Sequence, residues 1–420
     1  VLLAEERAEA VLIMTVHHIA SDGWSQGIMM RELTELYAHH NDDGRRAPVL
    51  VDLPVQYRDY AYWQRQTLVD DAVNQHMDYW RPHLQGIPAV HNLPLDYARP
   101  AQQSHIGGLL VTVIDRPKLA NMYQLISSRQ LTLFMVLKAV FSALLHRYSG
   151  DDDIVIGSPV ANREQPEIEA LVGFFVNTLV YRTQLDERTT FTQLLAQCKK
   201  NALDAYAHQQ LPFELLVDAL QPKRSAAYNP LFQIMLTLEN NDIGNWALDG
   251  LETDVIEPDS IASQFDLSLD VHESDNGLTL TWNYASDLFK ESTIARLAQH
   301  FERLLVKLCQ DPDVRIGQVD MLNESEREAL LNEFNDTAQP ELIAKTWPEL
   351  FVSTVDVHAN KIAARYRDDA ITYQSLADQS ERIALNLGDL AIGRGQVVAV
   401  YSERNLSLIH ISEPTRLRSI

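Results

Sequence analysis

One stretch narrows what this chain can fold into more than any other. Between Thr132 and Tyr148 the apolar residues Leu133, Phe134, Val136, Leu137, Val140, Phe141, Leu144 and Leu145 fall on nearly every side of a helical wheel. A helix that is apolar all round has to be buried. Gly150 ends it. The chain therefore needs a core that can surround a helix, and its 420 residues are enough for that and for more than one domain.

Strand and helix patterns alternate around this element. Val11–Val16 (VLIMTV) is short, apolar and rich in β-formers, and reads as a buried strand. A helix is expected over Ser25–His39, where Ile28, Met29, Leu33, Leu36 and Tyr37 recur at helical spacing. Ile154–Ile156 reads as a strand and Phe191–His208 as a helix; Pro212 opens a shorter helix through Leu220. Strands are expected at Leu231–Leu238, Leu251–Ile256, Phe265–Val271 and Leu278–Tyr284. Asn276-Gly277 supplies a hairpin turn between the last two. An amphipathic helix covers Glu291–Leu308. A polar stretch from Asp311 to Pro340 surrounds one short helix, Glu324–Phe334, and a new pattern starts near Trp347.

Composition excludes several classes. Hydrophobic residues make up 46% and charged residues 22%, the ordinary globular range. The formal charge of −23 leaves no basic face to neutralise phosphates, which argues against nucleic-acid binding. No apolar run is long enough to cross a membrane. Val1–Ala10 carries three Glu and one Arg and lacks the basic start of a signal peptide. Cys198 and Cys309 form no CxxC and no disulfide framework, which fits a reducing cytoplasm. No His and Cys spacing fits a metal site, so none is expected. The chain starts inside an element already under way and reads as a fragment.

The chemistry concentrates in His17-His18-Ile19-Ala20-Ser21-Asp22-Gly23-Trp24-Ser25, between a strand and a helix. Two His and an Asp in one turn offer a base and a carboxylate to orient it. No G-x-S-x-G accompanies them, so no Ser nucleophile is marked. The chemistry open to such a turn is direct attack of one bound substrate on another, helped by a base. The plain alternative makes His17 a core residue and Asp22 the N-cap of the next helix.

HHIASDGWS resembles the HHxxxDG signature of condensation domains from non-ribosomal peptide synthetases. Relatives of chloramphenicol acetyltransferase carry a similar His motif. Here other motifs follow in family order. Tyr57–Trp63 is similar to YxDYAxW, Ile156–Arg163 to IGSPVAxR, and Gly173–Leu179 to GxFVNTL. His208–Glu214 is similar to HQDxPFE with Gln210 in place of Asp. Arg224–Phe232 is similar to RDxSxNPLF with departures at Ser225 and Ala227, and Phe265–Leu269 to FDLSL.

The resemblance implies an α/β fold of the two-lobed, chloramphenicol acetyltransferase-like kind. It implies a condensation domain over 1–320, with 1–80 a remnant of the first lobe and 81–320 the second. A linker is expected over 321–345 and the start of an adenylation domain over 346–406, where Ile371–Leu376 is similar to that family's LTYxEL. Ser407–Ile420 (SLIHISEPTRLRSI) fits nothing before it; it resembles a translated sequencing adaptor and is set aside, the alternative being a true loop and strand.

By the same resemblance His18 is the catalytic residue. It would accept a proton from the acceptor amine or hydrogen-bond it as a peptide bond forms. Asp22 would pair with Arg163 and hold the turn, Gly23 would admit close backbone approach, and His17 would be a packed orienting residue. Trp24, Ser25, Asn177 and Thr178 are expected at the substrate tunnel, with strand-end hydrogen bonding the alternative for the last two. Tyr60 and Trp63 are expected to pack. The partners implied are donor and acceptor carrier domains, whose 4′-phosphopantetheine arms bring the substrates, and an adenylation domain in the same chain. No cofactor would bind directly; ATP and Mg²⁺ belong to the adenylation residues beyond this sequence. Trp24-Ser25 and the adenylation start favour an L-configured donor over epimerisation or a dual condensation–epimerisation domain. A non-catalytic docking domain on the same fold is the reading of another class.

Overall fold

The computed structural model describes residues 2–4, 9–42, 47–239, 248, 250–253, 261–338, 346–393 and 395–401. They belong to two compact units, Val1–Leu322 and Asn323–Ile420. The expected tail Ser407–Ile420 lies outside the described residues, as do residues 254–256 of the strand expected at Leu251–Ile256. Leu251–Thr253 has no regular structure.

The first unit is a mixed α/β fold around a seven-stranded sheet. Its strands are β3 (Ile106–Asp115), β4 (Asp153–Val160), β5 (Asn177–Gln184), β6 (Ile234–Glu239), β7 (Ile261–Ala262), β8 (Leu267–Ser274) and β9 (Gly277–Ala285), in the order β5-β4-β6-β8-β9-β3-β7. Pairing is antiparallel except for β4–β6 and β6–β8, which are parallel. The β4–β6 junction rests on one residue pair, Gly157 with Met235. Separate from this sheet, β1 (Leu2–Ala4) and β2 (Glu9–Val11) pair with each other.

Helix α5 (Leu133–Ser149) is the centre of the core. Every residue from Phe134 to His146 is buried, including Lys138, Ser142 and His146. Thr132 caps its start, accepting the Met135 N–H, and Gly150 ends it in the left-handed conformation at φ 73°. Helix α7 (Phe191–Ala207) and helix α9 (Glu291–Gln310) pack on it with Phe191, Leu194 and Cys198 and with Phe301, Leu304 and Leu308. Phe141, Trp282 of β9 and Phe301 meet edge to face.

The β8–β9 hairpin forms as expected, but its turn is Asp275-Asn276, one residue earlier than Asn276-Gly277. Gly277 is required for another reason. It begins β9 at φ 140°, and a Cβ there would lie 2.1 Å from the Ile114 carbonyl oxygen of β3. The third strand, rather than the turn, demands the glycine.

The expected strand Val11–Val16 is not formed. Only Glu9–Val11 pairs, and Leu12–Val16 runs on without regular structure; Ile13 is 65% exposed. A strand is stable only where a neighbour takes up its backbone hydrogen bonds, and none of the described residues pairs with this stretch. The helix that follows, α1 (Gly23–Asn41), starts two residues before its expected place because Asp22 caps it.

In the second unit, helix Trp347–His358, the hairpin of Ile362–Tyr366 with Asp369–Thr372, and helix Tyr373–Asp389 close a small core of Phe351, Val355, Ile371 and Leu376.

Gly277→Ala is expected to destabilise the first unit by about 1–3 kcal/mol, since strained backbone has to be held against a fixed carbonyl. Urea unfolding of the variant would show an unchanged midpoint if β3 could move aside.

Candidate functional site

The residues singled out in the sequence meet where α1 begins. Asp22 caps this helix: its Oδ1 accepts the Ser25 N–H at 2.8 Å and the Ser25 hydroxyl at 2.7 Å. Its Oδ2 accepts the N–H groups of Phe175 at 2.9 Å and Val176 at 3.3 Å. Arg163 Nη2 stands 3.1 Å from Oδ1, and the two side chains are 1% and 2% exposed. The other amine of Arg163, Nη1, donates to the carbonyls of Ile168 and Leu171, both at 2.7 Å. The guanidinium carbon lies 4.0 Å from the centroid of the Phe175 ring. A buried ion pair is held this well only when the remaining lone pairs and protons are also satisfied. Here all but Arg163 Nε find partners among the described residues.

Burial by itself would push the Asp22 carboxyl up. The Ser25 hydroxyl, the amides of Phe175 and Ser25 and the charge of Arg163 outweigh it and hold the carboxyl below its ordinary 3.8.

The two His have opposite hydrogen-bond roles. His17 Nδ1 accepts the Ile19 N–H at 3.1 Å and so caps the short 3₁₀ turn His18–Ala20. His18 Nδ1 lies 2.8 Å from the Ser21 carbonyl oxygen, which can only accept. His18 Nδ1 therefore carries the proton, and Nε2 is the lone-pair nitrogen of the neutral ring. The His18 ring is exposed and meets Phe174 edge to face at 5.1 Å. His17 is exposed as well, so it is a turn cap and not the packed residue expected. Neither His stands on a strand.

Gly173-Phe174-Phe175-Val176 forms the wall behind Asp22. Gly173 has no room for a side chain, because a Cβ would sit 2.2 Å from the Tyr57 ring. Tyr57, on α2 (Tyr57–Thr67), donates its hydroxyl to the Phe174 carbonyl at 2.8 Å. Tyr60, Ile168, Leu171 and Phe175 make the apolar cluster beneath. Trp63, expected to pack, is 40% exposed.

Two of the expected tunnel residues are structural instead. Ser25 is fully buried, and besides Asp22 its hydroxyl faces the Gly173 carbonyl at 2.9 Å and accepts from Arg163 and the Gly173 N–H. Asn177 is buried at the start of β5. Its amide donates to the carbonyls of Gln209 and Leu211, and its Oδ1 accepts the Phe213 N–H. Short polar side chains with all their capacity committed have nothing left for a substrate. Trp24 is half-buried, its Nε1–H donating to the Glu169 carbonyl at 2.9 Å. Thr178 is half-buried on β5 opposite Pro159. Gly23 is exposed as the first residue of α1, and no partner for its N–H is found among the described residues.

Sequence reasoning passed over Ser21, whose carbonyl sets the His18 tautomer, and Glu164. Glu164 accepts from both Gln209 and Gln210 at 2.7 Å. The departure at Gln210 was the available signal: an Asp there would place a second carboxylate against Glu164. Among the described residues no three His, Cys, Asp or Glu groups are placed to hold a metal ion, and no single helix is long and apolar enough to cross a membrane.

Asp22→Asn keeps the shape of the cap and leaves Arg163 with no anion. Expected is a loss of about 3–5 kcal/mol, typical of removing one member of a buried pair. A carboxyl whose folded pKa is depressed adds stability above its unfolded value, and this is lost as pH falls through the folded value. The difference in Tm between wild type and Asp22→Asn should therefore shrink as pH drops below 3.8. A difference constant over that range would show that the charge of Asp22 contributes nothing.

Comparison with known proteins agrees with this arrangement. One linear gramicidin synthase protein of Brevibacillus parabrevis is 38% identical over 97% of this chain, which spans 8% of that protein. The X-domain from teicoplanin biosynthesis, also solved in complex with OxyB, superimposes with a TM-score of 0.66 at 30% identity, over 73% of this chain and 71% of that one. A four-domain nonribosomal peptide synthetase bound to AMP and glycine matches the fold with a TM-score of 0.73 at 24% identity, over 90% of this chain and 29% of that one. The family model for the condensation domain matches residues 1–331, so the chain belongs to the condensation domain family.

Proposed function

We propose that this chain joins two carrier-bound substrates by a peptide bond, with His18 as the group that acts on the acceptor amine. The observation that carries the proposal is the 2.8 Å contact between His18 Nδ1 and the Ser21 carbonyl. It commits the proton to Nδ1 and leaves Nε2 free to accept one.

The acceptor aminoacyl group and the donor acyl or peptidyl group each arrive as a thioester on the phosphopantetheine arm of a carrier domain. The acceptor amine attacks the donor carbonyl while Nε2 accepts its proton or hydrogen bond. The C–N bond forms, the C–S bond breaks, and the departing thiol takes the proton. A well-placed base supplies about 10²–10⁴-fold, and holding both thioesters in line supplies more. The Gly23 N–H, at the positive end of α1, is the proposed donor to the oxyanion. Asp22 and Arg163 act on the geometry of the turn and not on the substrate. Trp24 and Thr178 are the proposed substrate contacts that remain. The L-donor type follows from Trp24-Ser25, where epimerisation domains carry Val-Ser-Trp. Residues 346–401 are proposed to begin an adenylation domain; ATP and Mg²⁺ would belong to the rest of it. The proposed setting is a cytoplasmic synthetase of antibiotic type.

The likeness to the X-domain, solved with OxyB, supports a second reading in which the fold only recruits a partner enzyme. The presence of both His with defined hydrogen bonds favours catalysis.

In the full synthetase, His18→Ala is expected to reduce dipeptide formation by at least about 10²-fold while both carrier domains still load. Radiolabel transfer from donor to acceptor carrier measures it. Undiminished transfer would leave recruitment as the better reading.

A further inference from the structure

The core holds one side-chain pair that the proposed chemistry does not use. Lys138 of α5 is fully buried, and among the described residues no carboxylate lies within ion-pair distance of it. Its Nζ donates to the Thr183 hydroxyl at 3.1 Å and to Cys198 Sγ at 3.3 Å, and lies 5.3 Å from the centroid of the Tyr181 ring. Cys198 of α7 is also fully buried and is a free thiol. An ammonium in an apolar core is costly without an anion, so packing alone does not account for a lysine here; an aliphatic residue would fill the space more cheaply. What the position provides is a nitrogen and a sulfur in direct contact and shielded from water.

We propose that Lys138 and Cys198 are the two ends of a reversible covalent N–O–S bridge formed with dioxygen. In the amine form of Lys138, one N–H bond and the S–H bond break, and one O–N and one S–O bond form. Sulfur and nitrogen each give up two electrons. These reduce dioxygen, one atom of which enters the bridge while the other leaves as water. Dioxygen is small and apolar and reaches a packed interior through local opening. Exclusion of water protects the oxidised sulfur from hydrolysis before nitrogen captures it. Oxidised cysteine sulfur is known to condense with neighbouring thiols and amide nitrogens, and here the amine is the group in contact. The bridge closes a loop between residues 60 apart and ties α5 to α7, the helices that cover the core face of the sheet. It therefore adds stability in the oxidised state, independently of what the domain catalyses.

The test is peptide mapping of the whole polypeptide, purified in air and in parallel under argon, with tryptic digestion and mass spectrometry. In air, the peptides bearing Lys138 and Cys198 should appear joined, with the mass of one oxygen added and two hydrogens lost, and with cleavage missed at Lys138. Dithiothreitol should separate them and lower Tm. The joined species should be absent under argon and in Cys198→Ser; Lys138→Arg serves as the second variant if the serine protein does not fold. Unmodified Cys198 with full cleavage at Lys138 in air would overturn the proposal. So would a joined species that survives dithiothreitol, which marks a direct S–N bond, or Cys198 found in a disulfide with Cys309.

Discussion

The contact between Asp22 and Arg163 is the constraint from which the rest of the site follows. Two opposite charges are taken almost completely out of water, a cost of several kcal/mol for each ion. Coulombic attraction alone does not offset that reliably. The deficit is made up by hydrogen bonds from Ser25, Phe175 and Val176 to the carboxylate, and from Arg163 to the carbonyls of Ile168 and Leu171. Every one of these partners is backbone or a helix-cap side chain. Charge balance is thus converted into backbone geometry: the start of α1, the segment after Arg163 and the Gly173–Val176 wall can satisfy the pair only in one arrangement. His18 sits on that arrangement, four residues before the cap.

The sheet supplies the fixed frame for both sides of the grip. β4 ends at Val160, three residues before Arg163, and β5 begins at Asn177, directly after the amides that hold Asp22. The two strands pair in register along their whole length, so the separation of their ends is set by ladder geometry. Asn177 extends the frame by bonding the turn between α7 and α8 (Phe213–Leu220). Glu164 joins the same turn from the other side through Gln209 and Gln210. Behind them, the buried length of α5 makes the frame stiff, since a helix packed on all faces has no direction in which to yield.

The sequence was informative wherever a pattern is local. The all-round apolar character of Thr132–Tyr148 announces burial, and the helix is buried on every face. Pro212 and Gly150 mark helix ends because each acts on its own backbone. The resemblance to the condensation domain family carried the grouping of His18, Asp22 and Arg163, which periodicity does not contain. The failures share one cause. Val11–Val16 looks like a strand by composition, but a strand is a relation to a neighbour, and that stretch has none among the described residues. Ser25 and Asn177 look like polar groups available to a substrate. Their availability depends on which backbone groups the fold brings within 3 Å, and none of those is near in sequence.

From sequence alone came the α/β class, the positions of the main helices, the acidic balance and the residues of the turn, because each depends on the order and type of adjacent side chains. Tertiary structure alone decided which nitrogen of each His carries a proton, that the Asp22 carboxyl stays ionised in a buried place, and that Gly173 and Gly277 cannot carry a side chain. Those properties depend on groups about 100 to 160 residues away along the chain or on a carbonyl a few residues off whose direction the turn sets. Hydrogen bonds and charge interactions act through distance in space, which the order of residues does not specify.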